Sequence, residues 1–187
     1  LVKLHNTGRE GDEASNRSLE VVQAAFAKDF LLEAVKLQVD ARHASLQFAK
    51  GDPIPFSALS DGYRSMLALG IDLMRWLIAA FPTSDNPLEE RGVVLIDELD
   101  AHLHPQWQRR IGEWLLAKFP RLQFIIVTHS PFLAQVRPEG NMLLRREKGR
   151  VVVKQGPRQV SDWRVDQVLT ELFDLASVRS VEFEKRL

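Results

Sequence analysis

Cysteine is absent from all 187 residues, which excludes disulfides, thiolate zinc sites and cysteine nucleophiles. The absence fits a reducing compartment. No apolar run approaches the roughly 20 residues that a bilayer-crossing helix requires, and no secretory leader is visible. A cytoplasmic protein without a membrane partner is therefore expected. An excess of one charge is also missing: 25 Lys and Arg balance 25 Asp and Glu, for a formal net charge of zero. Composition thus makes no case for nucleic-acid binding, and any DNA contact would rest on a local patch. Two short basic stretches, Arg109-Arg110 and Arg145-Arg146 with Lys148 and Arg150, read as solvated faces. Methionine is missing at the first position, where Leu1 stands; the expectation is a chain that represents part of something longer.

What remains is a balance of 45% hydrophobic and 27% charged residues, enough for one cored domain with at most a short appendage. Residues 1–16 are polar, with two glycines, and read as a loop. Leu19, Val22, Ala25, Phe26, Phe30 and Leu31 recur at helical spacing, predicting a helix from Ser18 to about Ala34 capped by Asn16 or Ser18. Val35, Leu37 and Val39, then Leu46 and Phe48, alternate with polar residues, predicting two or three antiparallel strands. Ser60 opens a helix with Met66, Leu69, Leu73 and Leu77 on one face, ended by Phe81-Pro82. Val93-Val94-Leu95-Ile96 is short, apolar and without polar alternation, the pattern of a strand buried on both faces. A helix from Pro105 to about Phe119 leads to a second such strand, Leu122–Thr128, and strand–helix–strand at this spacing is a parallel crossover unit. A short helix after Pro131, a hairpin around Glu147-Lys148-Gly149 and a last helix, Val165 to Leu175, started near Ser161 or Asp162, complete the reading. Trp76, Trp107, Trp114 and Trp163 read as core or interface residues. The expected organisation is an N-terminal helix and hairpin segment (1–53), an α/β core (54–155) and a helical tail (156–187).

Three short motifs carry chemistry. Asp97-Glu98 follows an apolar strand, and the carboxyl ends of strands are where open α/β sheets bind ligands. Two adjacent acids are costly there without a cation or proton, and a magnesium ion, which keeps several waters and takes few protein ligands, fits them. Asp97 is the candidate metal holder, through water, and Glu98 the candidate for polarising an attacking water; taken alone, the pair could equally be solvated acids. Leu59-Ser60-Asp61-Gly62-Tyr63 sits at a helix start, whose free N–H groups and partial positive charge suit phosphate; taken alone, Ser60 is an ordinary N-cap. Thr128-His129-Ser130 ends the second strand, where His129 would reach a phosphate oxygen if the two strands are neighbours. By itself a histidine there is most often structural.

Order and spacing together resemble the ABC ATPase superfamily over about residues 55–135. Leu59-Ser60-Asp61-Gly62-Tyr63 resembles its LSGGQ signature, Asp97-Glu98 its Walker B with catalytic glutamate, Leu99 to Pro105 its D-loop, and His129 its H-loop. Within that superfamily, LSDGYRS with IDELDAHLHP and VTHSP resembles the RecF/SMC-like and OLD-like ATPases of DNA repair and anti-phage defence. The tail from Ser161 to Leu169 is similar, more loosely, to Septu- and retron-type defence ATPases. The resemblance implies the C-terminal lobe of a P-loop-NTPase-like α/β head, with a mostly parallel sheet core, flanking helices and an antiparallel hairpin portion. It implies ATP and Mg²⁺ as ligands and a head-to-tail homodimer. Asp97, Glu98 and His129 would serve the nucleotide of their own head. Ser60, Asp61, Gly62 and Tyr63, with His104 at the D-loop position, would face the nucleotide of the opposite one. A nuclease or other effector, and DNA reached through the complex, are the implied further partners.

The match has gaps. The phosphate-cradling string GxxxxGK[ST] occurs nowhere in the chain, so the chain alone is expected to bind ATP poorly and not to turn it over. A removed N-terminal half or a second polypeptide would have to supply the missing loop. Asp61 replaces a glycine and brings negative charge toward the phosphates, and His104 stands where transporters carry an aspartate. Two other readings stand beside the ATPase. One is a non-hydrolysing dimerisation module that recruits a nuclease, favoured by the missing loop and opposed by Glu98 and His129. The other is a metal-dependent nuclease built on Asp97, Glu98 and Asp100. Metal binding by the His102/His104 pair is also conceivable, since imidazole suits zinc.

Overall fold

Apolar residues at helical spacing bring Val22, Ala25 and Phe26 onto one buried face of α1 (Glu13–Ala27). The computed structural model describes residues 13–27, 35–39, 44–48, 51–101 and 103–178. The helix begins earlier than Ser18, so Asn16 and Ser18 lie inside it. Residues 28–34, the expected end of this helix, lie outside the described residues.

The chain divides into two compact units. The first comprises residues 1–95 and 102–125, the second residues 96–101 and 126–187.

In the first unit, β1 (Val35–Val39), β2 (Ala44–Phe48) and β3 (Ile54–Pro55) form an antiparallel sheet in the order β1-β2-β3. Leu37 pairs with Leu46, and both are buried. Gln23 Nε2 donates to the Leu37 carbonyl at 3.3 Å, tying α1 to this sheet. After a 3-10 turn at Phe56–Ala58, α2 (Asp61–Ala80) buries Met66, Leu67, Met74 and Leu77. Gly70 permits a close approach to this helix: a Cβ there would lie 3.0 Å from both Phe26 Cζ and Trp114 Cη2. Phe26 and Trp114 stack with centroids 6.1 Å apart. One further helix and two strands follow the expected bounds closely: β4 (Gly92–Ile96), α3 (Pro105–Lys118) and β5 (Leu122–Ile126). From α3, Trp107, Ile111, Trp114 and Leu115 complete the core. Each such side chain contributes roughly 1.5–3 kcal/mol by leaving water. Trp76 is the exception among the tryptophans: it stands 64% exposed, with the Arg75 guanidinium 5.4 Å over its ring.

β4 and β5 are hydrogen-bonded neighbours, but they are not buried on both faces as their composition predicted. Val93 and Leu95 are 61% and 76% exposed, and Ile125 is 48% exposed. Burial follows the two-residue period of a strand instead: Val94 and Phe124 turn inward, and Phe124 meets Phe119 with centroids 6.4 Å apart. Among the described residues this sheet has two strands, and nothing described covers its second face.

The second unit is built on α4 (Pro131–Ala134), the hairpin β6 (Met142–Glu147) and β7 (Arg150–Gln155), and α5 (Val165–Gln167). Ala134, Val160, Val168 and Leu172 form its core, with Leu143, Trp163 and Phe173 packed against them. Lys148 and Gly149 both have positive φ, 48° and 80°, the requirement of the tight two-residue turn that matches strand twist. The last helix starts at Val165, as expected, but its cap is Arg164, whose backbone N–H donates to Gln167 Oε1 at 2.9 Å, rather than Ser161 or Asp162. It then widens into a π turn over Val168–Leu172 and stops before Leu175, because Asp174 takes a left-handed φ of 55°.

Candidate functional site

The acidic pair and the histidine meet in the second unit. Val127 N donates to the Ile96 carbonyl at 2.9 Å, so the ends of β4 and β5 lie side by side and Asp97 and His129 follow neighbouring strands. Asp97, Glu98 and His129 are all exposed. Past the strand end the chain turns sharply. Ala101 N donates to the Glu98 carbonyl at 2.9 Å, Leu99 is buried, and Glu98 itself takes a left-handed φ of 51°.

The turn returns Asp100 to the end of β5. Its Oδ1 accepts hydrogen bonds from the Thr128 hydroxyl and from His129 N, the latter at 3.2 Å. Thr128 Oγ1 in turn accepts from Ser130 N at 2.9 Å. Ser130, buried, caps α4 by accepting from Leu133 N at 3.4 Å. Three successive residues at the strand end are thereby fixed. The sequence reading placed Asp97, Glu98 and His129 but not this linkage. The available signal was a carboxylate two residues after Glu98 and a hydroxyl directly before His129.

Ser60 and its neighbours belong to the first unit. Ser60 is the N-cap of α2, with φ −62° and ψ 156°, but its side chain makes no capping bond, so its exposed hydroxyl is not spent on the helix. Asp61 is exposed and ion-paired with Arg64 one turn along. Gly62 is buried. The half-buried Tyr63 ring meets Phe48 edge-on at 5.5 Å and Trp107 at 4.3 Å. An open cavity of about 580 Å³ lies here, with Ser60 to Tyr63 on one side and Leu103, His104 and Trp107 on the other. His104 is the N-cap of α3: its Nδ1 accepts from Gln106 N at 3.3 Å, so the ring hydrogen sits on Nε2. His102 lies outside the described residues.

The donor chemistry suits the two ligands expected from sequence. Among the described residues no hydrogen bond or ion pair engages the Asp97 or Glu98 carboxylates, and hard oxygen donors of this kind suit Mg²⁺. The free N–H groups at the start of a long helix beside an uncommitted hydroxyl suit phosphate oxygens. Asp100 is less suited to a metal, because Oδ1 already accepts two hydrogen bonds. Among the described residues no group of three His, Asp or Glu side chains is placed to hold a metal ion.

Residues 5–134, well over half of the chain, match the family described as "AAA domain, putative AbiEii toxin, Type IV TA system". The chain belongs to this family. Of the relatives it resembles, "Retron Ec83 probable ATPase" of Escherichia coli is 40% identical over 119 residues, covering 63% of this chain and 21% of that protein. "Septu protein PtuA" of Bacillus mycoides (strain KBAB4) is 36% identical over 122 residues, covering 62% of this chain and 16% of that protein. The chain thus spans a minor share of the length of these relatives. Among solved structures it resembles one described as "Structural biochemistry of ATP-driven dimerization and DNA stimulated activation of SMC ATPases", with TM-score 0.59, 16% identity, and 88% of this chain and 96% of that one covered. The SMC head domain from Thermotoga maritima superposes with TM-score 0.55 and 16% identity over 78% of this chain and 51% of that one. At such identities the likeness establishes the fold: a mixed α/β, P-loop-NTPase-like head with a parallel β4/β5 crossover and antiparallel hairpins. No helix among the described residues is long and apolar enough to cross a membrane.

Proposed function

We propose that this chain is the C-terminal part of an ATP-binding and ATP-hydrolysing head that works as a head-to-tail dimer in a defence or DNA-repair system. The observation that carries the reading is the adjacency of Asp97-Glu98 and His129 at neighbouring strand ends, held by one carboxylate. The name of the retron relative, described as a probable ATPase, supports it.

In this reading Glu98 accepts a hydrogen bond from the attacking water and orients it in line with the γ-phosphate, while His129 donates to a phosphate oxygen. Asp97 would hold Mg²⁺ through water, and the ion when bound supplies charge neutralisation at the phosphate oxygens. Ser60, whose hydroxyl caps nothing, and Gly62 would approach the γ-phosphate held by the opposite protomer. The Asp61–Arg64 pair limits the repulsion that an acid in the signature loop would otherwise bring. His104, with Nε2–H available, adds a donor beside the same cavity. The phosphate cradle comes from sequence not in this chain, so turnover belongs to the completed protein. A nuclease or other effector, and DNA reached through the complex, would be the further partners in this reading.

The test is ATP hydrolysis by the full-length protein beside its Glu98→Gln variant. The expected outcome is turnover in the wild type, a loss of about 100-fold or more in the variant, and a variant that elutes as an ATP-dependent dimer. No turnover in either protein, with ATP-dependent dimerisation intact, would instead establish the non-hydrolysing recruitment module. DNA cleavage that needs metal and survives ATP depletion would establish the nuclease.

A further inference from the structure

We propose that Asp100 is a positioning residue for His129, acting without touching nucleotide or metal; the inference rests on the ATPase reading. A histidine at a strand end has a backbone free to swing unless its peptide is pinned. Here Asp100 pins it twice, through the His129 N–H at 3.2 Å and through the hydroxyl of the preceding Thr128. The following residue is pinned by the same hydroxyl, which accepts from Ser130 N at 2.9 Å. With the peptide groups on both sides fixed, the Cα–Cβ direction of His129 is fixed, and its ring turns only about χ1 and χ2 at the exposed end of the sheet.

The other end of the clamp is as informative. Asp100 lies in the turn closed by Ala101 N and the Glu98 carbonyl, at 2.9 Å, and anchored by buried Leu99. The turn that sets Glu98 in its left-handed conformation therefore also presents the carboxylate that holds His129. Asp100 sets the spacing between the residue that handles water and the residue that handles phosphate. Both hydrogen bonds end on one oxygen, and what these two bonds require is an acceptor at that point, which a carboxamide oxygen also supplies. This separates a positioning role from a metal-ligating or charge-stabilising one.

The experiment uses the full-length protein and compares Asp100→Ala, Asp100→Asn, Thr128→Val, Thr128→Ser, His129→Ala and the Asp100→Ala/His129→Ala double variant, beside wild type and Glu98→Gln. Misplacing a catalytic group by about an ångström costs on the order of 100-fold, so Asp100→Ala is expected to lower kcat by roughly 10- to 100-fold with KM for ATP nearly unchanged. Asp100→Asn, which keeps the acceptor oxygen, and Thr128→Ser, which keeps the hydroxyl, should stay near wild type, whereas Thr128→Val should follow Asp100→Ala. The double variant should be no slower than His129→Ala alone, because both changes remove the same contribution. Amide exchange at His129, slow in the wild type and fast in Asp100→Ala, reports the clamp independently of turnover. Losses that add in the double variant, or an Asp100→Asn as slow as Asp100→Ala, overturn the positioning role while leaving the ATPase reading intact. A wild type without turnover overturns the ATPase reading and this role together.

Discussion

At Glu98 the backbone is left-handed, with φ 51°, where a Cβ crowds the carbonyl and costs roughly 1–2 kcal/mol. The turn closed by Ala101 and the burial of Leu99 impose it, so the strain is offset by neighbours while the carboxylate stays exposed. Replacing Glu98 by glycine should therefore raise unfolding free energy by about 1 kcal/mol in denaturant titrations while abolishing hydrolysis in the completed protein. Glu98→Gln, with the same backbone preference, should leave stability unchanged. A Glu98→Gly that is less stable than wild type would mean the turn is not strained. His104 makes a second residue-scale case. Its ring caps α3, so His104→Ala should cost about 1 kcal/mol and His104→Asp much less, measured by the same titration. The sequence was informative about which residues gather and less so about what they do locally. Asp97, Glu98 and His129 were legible because acids and a histidine directly after apolar strands point to the sheet's ligand edge. Asp100 was not, because its partners Thr128 and His129 are 28 and 29 residues away and only strand pairing brings them near. Nor was the capping bond of His104, which the HxH spacing masks with a metal reading.

At the level of elements, close approach and turn geometry decide more than propensity. Gly70 lies mid-helix, where alanine would ordinarily gain about 1 kcal/mol. Its Cβ would meet Phe26 and Trp114 at 3.0 Å each, and overpacking of this kind costs about 1–3 kcal/mol. Gly70→Ala should thus lower the thermal midpoint despite better helix propensity; a rise would show that the two rings yield easily. In the β6/β7 turn, lysine is a poor occupant of positive φ and asparagine a good one, so Lys148→Asn should stabilise by roughly 0.5 kcal/mol. Periodicity revealed α2 and the β1/β2 hairpin, while turn residues marked the β6/β7 hairpin and Pro105 the start of α3. Periodicity failed at the start of α1 and at the end of the last helix. In the second case the limit is set by a π turn and a left-handed Asp174, neither of which alters hydrophobic spacing.

Taken as a whole molecule, the chain leaves Val93, Leu95, Ile125 and Val127 about half exposed or more on β4, β5 and the residue after it. Sequence could not reveal this, because an apolar run reads as doubly buried whether or not the described chain supplies the second cover. The chain by itself is expected to bind an apolar fluorescent dye strongly, and Val93→Thr with Leu95→Thr should reduce that signal without lowering the unfolding midpoint. An unchanged signal would place the dye elsewhere. Binding of ATP to the chain alone should be weak, as measured by calorimetry, since no phosphate-cradling loop is present in its sequence.

Trp76 offers a built-in reporter. Trp107 and Trp114 are sequestered and Trp163 is half-covered, so a water-soluble quencher acts chiefly on the indole of Trp76, 64% exposed on α2. That indole sits about 22 Å along the helix from Asp61, remote enough that occupancy at the Ser60 end does not touch it. Any second chain laid along the outward side of α2 would dim the quencher's effect and shift emission to the blue, and a Trp76→Phe protein would lack both changes. Docking on that side can thus be followed by light alone, with no label attached.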